Sequence, residues 1–301
     1  MTTISAEVQT LKRLLDNEVI KALALPQDGW LRRVIDPLYA KATYTLAELG
    51  VRFNRHTARH GLPEAARRIL PRFVPGFQAS GAENIPRAGP LVIAANHPGT
   101  YDTLLIAASL KRNDLKIISS VIPFFQHLPS VKRRLIFSPP RGQVAARMET
   151  VRQAILHLTR GGALLIYPSG HLDPDPSFMS GAEEEIGNWS RSLEYFMRKI
   201  PQARLLISIV SGVLAPGCVH HPLTHLRRNR TDRQRIGEML QVIRQMIFDV
   251  HFPLCPQVTF GEPIAFRKPD IDMAREKIIA SARQLLNWHQ NHPGLPCSDK
   301  V

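Results

Sequence analysis

Apolar positions along the chain change period near residue 80. Before it they recur at helical spacing. Val8, Leu11, Leu14, Leu15, Val19, Ile20 and Leu23 form one set, broken at Pro26, and Trp30, Ile35, Leu38, Tyr39 and Leu46 form a second. From about residue 81, short apolar runs alternate with amphipathic ones. Residues 91–95, 115–119, 163–167, 205–210 and 257–260 read as strands, and 102–111, 143–159, 183–200 and 232–250 as helices. A last helix is expected over 271–289, with Ile271, Ala274, Ile278, Ala282 and Leu285 on one face. This alternation predicts a layered α/β domain. The chain divides on this reading into an N-terminal helical region (1–77), an α/β domain (78–266) and a C-terminal helix and tail (267–301).

The first strand ends in Asn96-His97-Pro98-Gly99-Thr100-Tyr101-Asp102. Of twelve histidines only His97 has an aspartate five residues on, although twelve histidines in a chain of this composition would give one such pair by chance about half the time. The pattern places an imidazole at a strand's carboxyl end, with Thr100 as the expected cap of the next helix and Asp102 in its first turn. Open α/β sheets hold their ligands at such strand ends. A histidine oriented by a carboxylate suits the work of a general base. Spacing alone also fits a loop histidine followed by an aspartate that the helix dipole favours. A second strand ends in a comparable turn, Ile166-Tyr167-Pro168-Ser169-Gly170-His171.

Together the two segments resemble the glycerolipid acyltransferase family. Its first block reads N-H-x4-D, and its third reads F/Y-P-E-G-T-R. The lead-in 81–90 is similar as well, and the resemblance spans roughly residues 78–215. It implies an acyltransferase fold with a mixed central sheet flanked by helices. It also implies His97 and Asp102 as catalytic residues, with Asn96, Gly99, Thr100, Arg141, Tyr167, Ser169, Gly170 and His171 lining the substrate side. The departures fall on the acceptor's side. Ser169 replaces the third block's glutamate, His171 its threonine and Leu172 its arginine. The second block, G-x-x-F-I-D-R, falls near 134–140, where Pro140 stands in the arginine's place and Arg141 lies one residue beyond. The fourth block, at 207–212, has serines where prolines belong. In the family the second and third blocks hold an acceptor phosphate through arginine, a bidentate task for a planar guanidinium. The resemblance thus implies acyl transfer, and the departures point away from glycerol-3-phosphate as acceptor.

Composition narrows the partners. Thirty-nine basic against 25 acidic residues give a net charge of +14, which favours anionic lipid headgroups, nucleotide-bearing thioesters or nucleic acid. The basic stretch 220–235 lacks the aromatics that stack on bases and reads as a solvated or lipid-facing loop; no nucleic acid is expected. His221 and His225 are four apart, but Pro222 follows at once and no carboxylate lies between them, so no metal is expected. Three widely spaced cysteines without C-x-x-C suggest neither a disulfide framework nor a zinc ribbon and fit a reducing compartment. No apolar run is long and clean enough for a spanning helix. Lys12, Arg13 and Asp16 argue against a secretory signal. The expectation is a cytoplasmic protein, peripheral on the inner face of a membrane.

The absence of a G-x-S-x-G elbow argues against a serine hydrolase, and no G-x-G-x-x-G or phosphate-cradling loop opens a helix. The reading is acyl transfer from a thioester, acyl-CoA or acyl-carrier protein, as co-substrate and with no other cofactor. The receiver is a hydroxyl or amine of a lipid-like acceptor. The alternative is a non-catalytic basic protein of the same fold on a membrane surface or nucleic acid.

Overall fold

The computed structural model describes residues 2–26, 28–99, 101–140, 142–266 and 273–293. Thr100 and Arg141 lie outside the described residues. In chain order the elements are α1 (Thr2–Ala22), α2 (Trp30–His60), α3 (Leu62–Ile69), β1 (Gln78–Ser80), β2 (Leu91–Ala95), α4 (Asp102–Ser109), β3 (Leu115–Ser120), α5 (Pro123–Gln126) and α6 (Pro129–Lys132). There follow β4 (Leu135–Ser138), α7 (Val144–Thr159), β5 (Ala163–Ile166), α8 (Ala182–Gly187), α9 (Ser192–Lys199), β6 (Arg204–Ser211), α10 (Pro216–Val219), α11 (Arg230–Phe248), β7 (Gln257–Phe260), β8 (Ile264–Ala265) and α12 (Ala274–Asn291).

The strands form one mixed sheet in the order β1-β7-β6-β2-β5-β3-β4, with β8 also on β6. Pairing is parallel from β6 through β4, while β7 and β8 run antiparallel to β6. Strand β2 lies at the centre, and all five of its residues are buried. That is why its sequence is a continuous apolar run rather than an alternating one. The pleat divides the core in two. Leu91, Ile93 and Ala95 pack with residues of α1–α4, and Val92 and Ala94 pack with α7, α8, α9 and α12. Parallel order brings the carboxyl ends of β2, β5 and β6 to one edge, where residues 96–99, 167–175 and 212–215 meet.

Some expected elements differ. The helix expected over 183–200 is two helices, α8 and α9. Ile186, Trp189, Leu193, Phe196 and Met197 face one core across the break, so their spacing continues where the helix does not. Strand β1 is a short edge of Gln, Ala and Ser and carries no apolar signal. Helix α4 begins at Asp102 with Tyr101 in the cap position, and the expected cap, Thr100, lies outside the described residues. The start expected for the last helix, Ile271, lies outside the described residues. Cys218 is a buried free thiol, and Cys255 is disulfide-bonded, which the sequence did not suggest.

The basic stretch 220–235 is not simply a solvated loop. Arg227 caps the end of α1 through the carbonyls of Lys21 and Ala22. Arg230 opens α11 and pairs with Glu185 at 2.8 Å.

Candidate active site

Strand β2 delivers its last residues to the sheet's edge. Asn96 is buried, and its amide exchanges two hydrogen bonds with the main chain of Val210, at 2.8 and 2.7 Å. It extends the β2–β6 pairing by one side chain, and its polar atoms face β6. His97 follows, held by its own backbone: its N–H donates to Asp173 Oδ2 at 2.8 Å, and its carbonyl accepts from Asp173 N–H at 2.8 Å. The chain then turns through Pro98-Gly99. A side chain at Gly99 would meet Glu238 Oε1 and Val213 Cγ2 at 3.1 Å, so a larger residue here fits only if those side chains give way.

Asp102, with no exposed surface, organises the site. Its Oδ2 lies 2.7 Å from His97 Nδ1 and accepts the Gly99 N–H at 3.2 Å. Its Oδ1 accepts from Tyr167 OH at 2.9 Å and Thr103 OH at 3.2 Å. Because the carboxylate accepts, the Nδ1 proton stays on that side, and Nε2 is the ring nitrogen left for substrate. Tyr167, just past β5, also stacks on the imidazole with centroids 4.3 Å apart. The Gly99 N–H is directed at Asp102.

Burial pulls the His97 pKa down, but the charge and hydrogen bond of Asp102, aided by Glu238 and Asp173, override it and raise it to about 9. The imidazole is thereby a stronger base, and its unprotonated, proton-accepting form gains as pH rises toward 9. Burial, with Asp102 beside it, pushes the Tyr167 phenol well above its ordinary value, so it serves as a neutral donor. Burial also raises Asp173, against the His97 N–H that favours its charged form.

The other candidates sit further along the same loop. Ser169 is buried, and its hydroxyl turns to the His171 carbonyl at 3.1 Å. Gly170, exposed, takes the turn with φ 72°. His171 faces α8 and meets Glu185 Oε2 at 3.0 Å through Nε2. Leu172 is buried, and its carbonyl accepts from Arg230.

Sequence reasoning missed a polar stripe on α11. Arg230, Gln234, Glu238, Gln241 and Gln245 recur every three or four residues, and all but Arg230 are buried. Gln234 donates to the carbonyls of Pro98 at 2.8 Å and Asp173 at 2.7 Å, and Gln241 binds Val213 O and the Ala215 N–H. It also missed Asp175, whose carboxylate accepts the backbone N–H groups of Gly212, Val213 and Leu214 and fixes the loop after β6. A run of uncharged amides at helical spacing was the available signal.

The family model described as Acyltransferase matches residues 76–183. Among solved structures, the 1-acyl-sn-glycerophosphate (LPA) acyltransferase PlsC from Thermotoga maritima is similar at 15% identity, with 94% of this chain and 99% of that chain covered and a TM-score of 0.40. No curated protein matches the sequence. The His97–Asp102 pair, Tyr167 and Asp173 all fall inside the residues that match the Acyltransferase family model.

Proposed function

We propose that this protein transfers a fatty acyl group from a thioester, acyl-CoA or acyl-carrier protein, to a hydroxyl or amine of a lipid-like acceptor at a membrane surface. The observation that carries this reading is the 2.7 Å contact between His97 Nδ1 and a fully buried Asp102, within a family-matched acyltransferase domain. His97 Nε2 takes the acceptor's proton as its oxygen or nitrogen attacks the thioester carbonyl. The tetrahedral oxyanion then collapses, the C–S bond breaks, and the departing thiolate receives the proton from His97. Asp102 stabilises the imidazolium between the two transfers. No acyl-enzyme forms.

The acceptor is not glycerol-3-phosphate or lysophosphatidate on this reading. The arginine positions of the second and third blocks hold Pro140 and Leu172, and the Leu172 side chain is buried. Arg230 reaches the third-block loop, but its guanidinium is committed to Glu185, the Leu172 carbonyl and Gln234. Two missing guanidinium groups forgo charge-assisted hydrogen bonds of about 1.5–3 kcal/mol each.

The test is competition for one labelled acyl thioester between lysophosphatidate and uncharged lipid alcohols or amines. Faster acylation of the uncharged acceptors is expected, and a preference for lysophosphatidate would refute the acceptor assignment. His97→Ala is expected to lower turnover about 10²–10⁴-fold. Wild-type turnover by a folded His97→Ala variant would refute the mechanism.

A further inference from the structure

Beyond the His97–Asp102 pair, three side chains converge on the far side of Asp173. His171 on the loop after β5, Asp173 two residues later and Glu185 on α8 each offer one ligand atom, and these atoms all lie within 4.8 Å of one another. Both carboxylates are braced from behind. Asp173 is 1% exposed, and its Oδ2 holds the His97 N–H. Its Oδ1 is buried without a hydrogen-bond partner, since the Ser169 hydroxyl beside Asp173 donates to the His171 carbonyl instead. Glu185 gives Oε1 to Arg230 at 2.8 Å and turns Oε2 to His171 Nε2 at 3.0 Å.

A buried carboxylate oxygen without a donor is costly, and such an orphan asks for an occupant. Arg230 does not fill that role. Its guanidinium is spent on Glu185 Oε1, Leu172 O and Gln234, where it orients the glutamate. Carboxylates that bind metal ions are themselves held by protein donors, as Asp173 Oδ2 is by the His97 N–H and Glu185 Oε1 by Arg230. One imidazole with two carboxylates is a mixed nitrogen and oxygen set. It suits Zn²⁺ or its first-row neighbours better than Mg²⁺ or Ca²⁺, which take oxygen. The His171 side chain is 35% exposed, which leaves a path in and a side open to water.

We propose that His171 Nε2, Asp173 Oδ1 and Glu185 Oε2 bind a divalent cation of the Zn²⁺ class, with water completing the coordination on the exposed side of His171. Without the ion, His171 Nε2–H donates to Glu185. On binding, the imidazole takes the tautomer with its proton on Nδ1, and the Nε2 lone pair turns to the metal. The ion ties the loop after β5 to α8, and through Asp173 it braces the main chain of the catalytic base from behind. It takes no part in the acyl-transfer steps, so the assignment stands or falls apart from them.

The experiment uses the full-length protein stripped with a chelator and titrated with Zn²⁺ alone by calorimetry, with thermal unfolding followed at each addition. One saturable site per chain and a rise in Tm are expected. His171→Gln and Glu185→Gln change side chains with some exposure and are expected to weaken binding by at least about tenfold. His221→Gln, in the other histidine cluster, should leave it unchanged. Co²⁺ in place of Zn²⁺ gives a second readout, a visible absorption band that His171→Gln should abolish. Should Glu185→Gln fail to fold, His171→Gln alone decides the matter. Absence of a saturable site, binding unaffected by His171→Gln, or binding lost in His221→Gln would each overturn the assignment.

Discussion

Asp102 carries more of the site than its place in a short motif suggests. Four groups converge on one carboxylate with no exposed surface: His97 Nδ1, Gly99 N–H, Thr103 OH and Tyr167 OH. Asp102→Asn keeps the shape but can present an N–H to His97. The Nδ1 position must then accept, the proton moves to Nε2, and the base is lost. Turnover is expected to fall by orders of magnitude while the fold survives, as circular dichroism would check. Tyr167→Phe is a finer probe. It keeps the stacked ring and removes one hydrogen bond to a charged group, worth about 1.5–3 kcal/mol. A loss of kcat of about ten- to a hundredfold with little change in thioester KM is expected. An unchanged kcat would show that Tyr167 only packs against the imidazole.

At the scale of elements, α11 decides how firmly these residues are held. Gln234 is fully buried and satisfies the carbonyls of Pro98 and Asp173, on either side of the base. Gln234→Leu would leave both carbonyls without that donor, at about 1–3 kcal/mol each. Chemical unfolding should show a loss of this order, with kcat falling alongside. The central strands β2, β5 and β6 were legible in the sequence because burial on both faces made them largely apolar: β2 begins and ends where expected, and β5 and β6 within one residue. His97, Asp102 and Tyr167 were legible because strand ends with turn residues mark where a sheet presents side chains. Asn96 was legible as a position, but its amide is consumed by Val210, a long-range pairing that no local pattern reveals. Asp173 and Asp175 were invisible for the same reason, since each acts on main-chain groups brought near only by the fold, whereas the α11 stripe left only a run of amides at helical spacing whose partners the sequence does not name.

At the scale of the molecule, charge and burial set how stability and location respond to solution conditions. His289 on α12 is buried between Thr259 and Ser211, at 2.7 Å from each hydroxyl, and joins that helix to β7 and β6. Burial lowers its pKa to about 4. The unfolded chain, near 6.5, binds the proton first, so this group's contribution is full above pH 6.5 and is lost as pH falls toward 4. The loss is roughly 3 kcal/mol. Urea unfolding across that window should show the slope, and His289→Gln should flatten it. Location follows from the surface. Among the described residues no helix is long and apolar enough to cross a membrane. Trp30, Val34 and Leu38 are nonetheless 75, 60 and 69% exposed, one turn apart along α2. A ridge of this kind on a chain of net charge +14 fits reversible docking on an anionic bilayer, apolar contact and electrostatic attraction acting together. Vesicles containing anionic lipid should therefore bind the protein, and neutral ones should bind it weakly. Raised salt should release part of the bound fraction by screening. Replacing Trp30 and Leu38 with serine should weaken binding to anionic vesicles while leaving turnover of a short-chain, water-borne acceptor unchanged. Equal binding by this variant and the wild type would exclude α2 as the contact and leave charge alone to hold the protein on the surface.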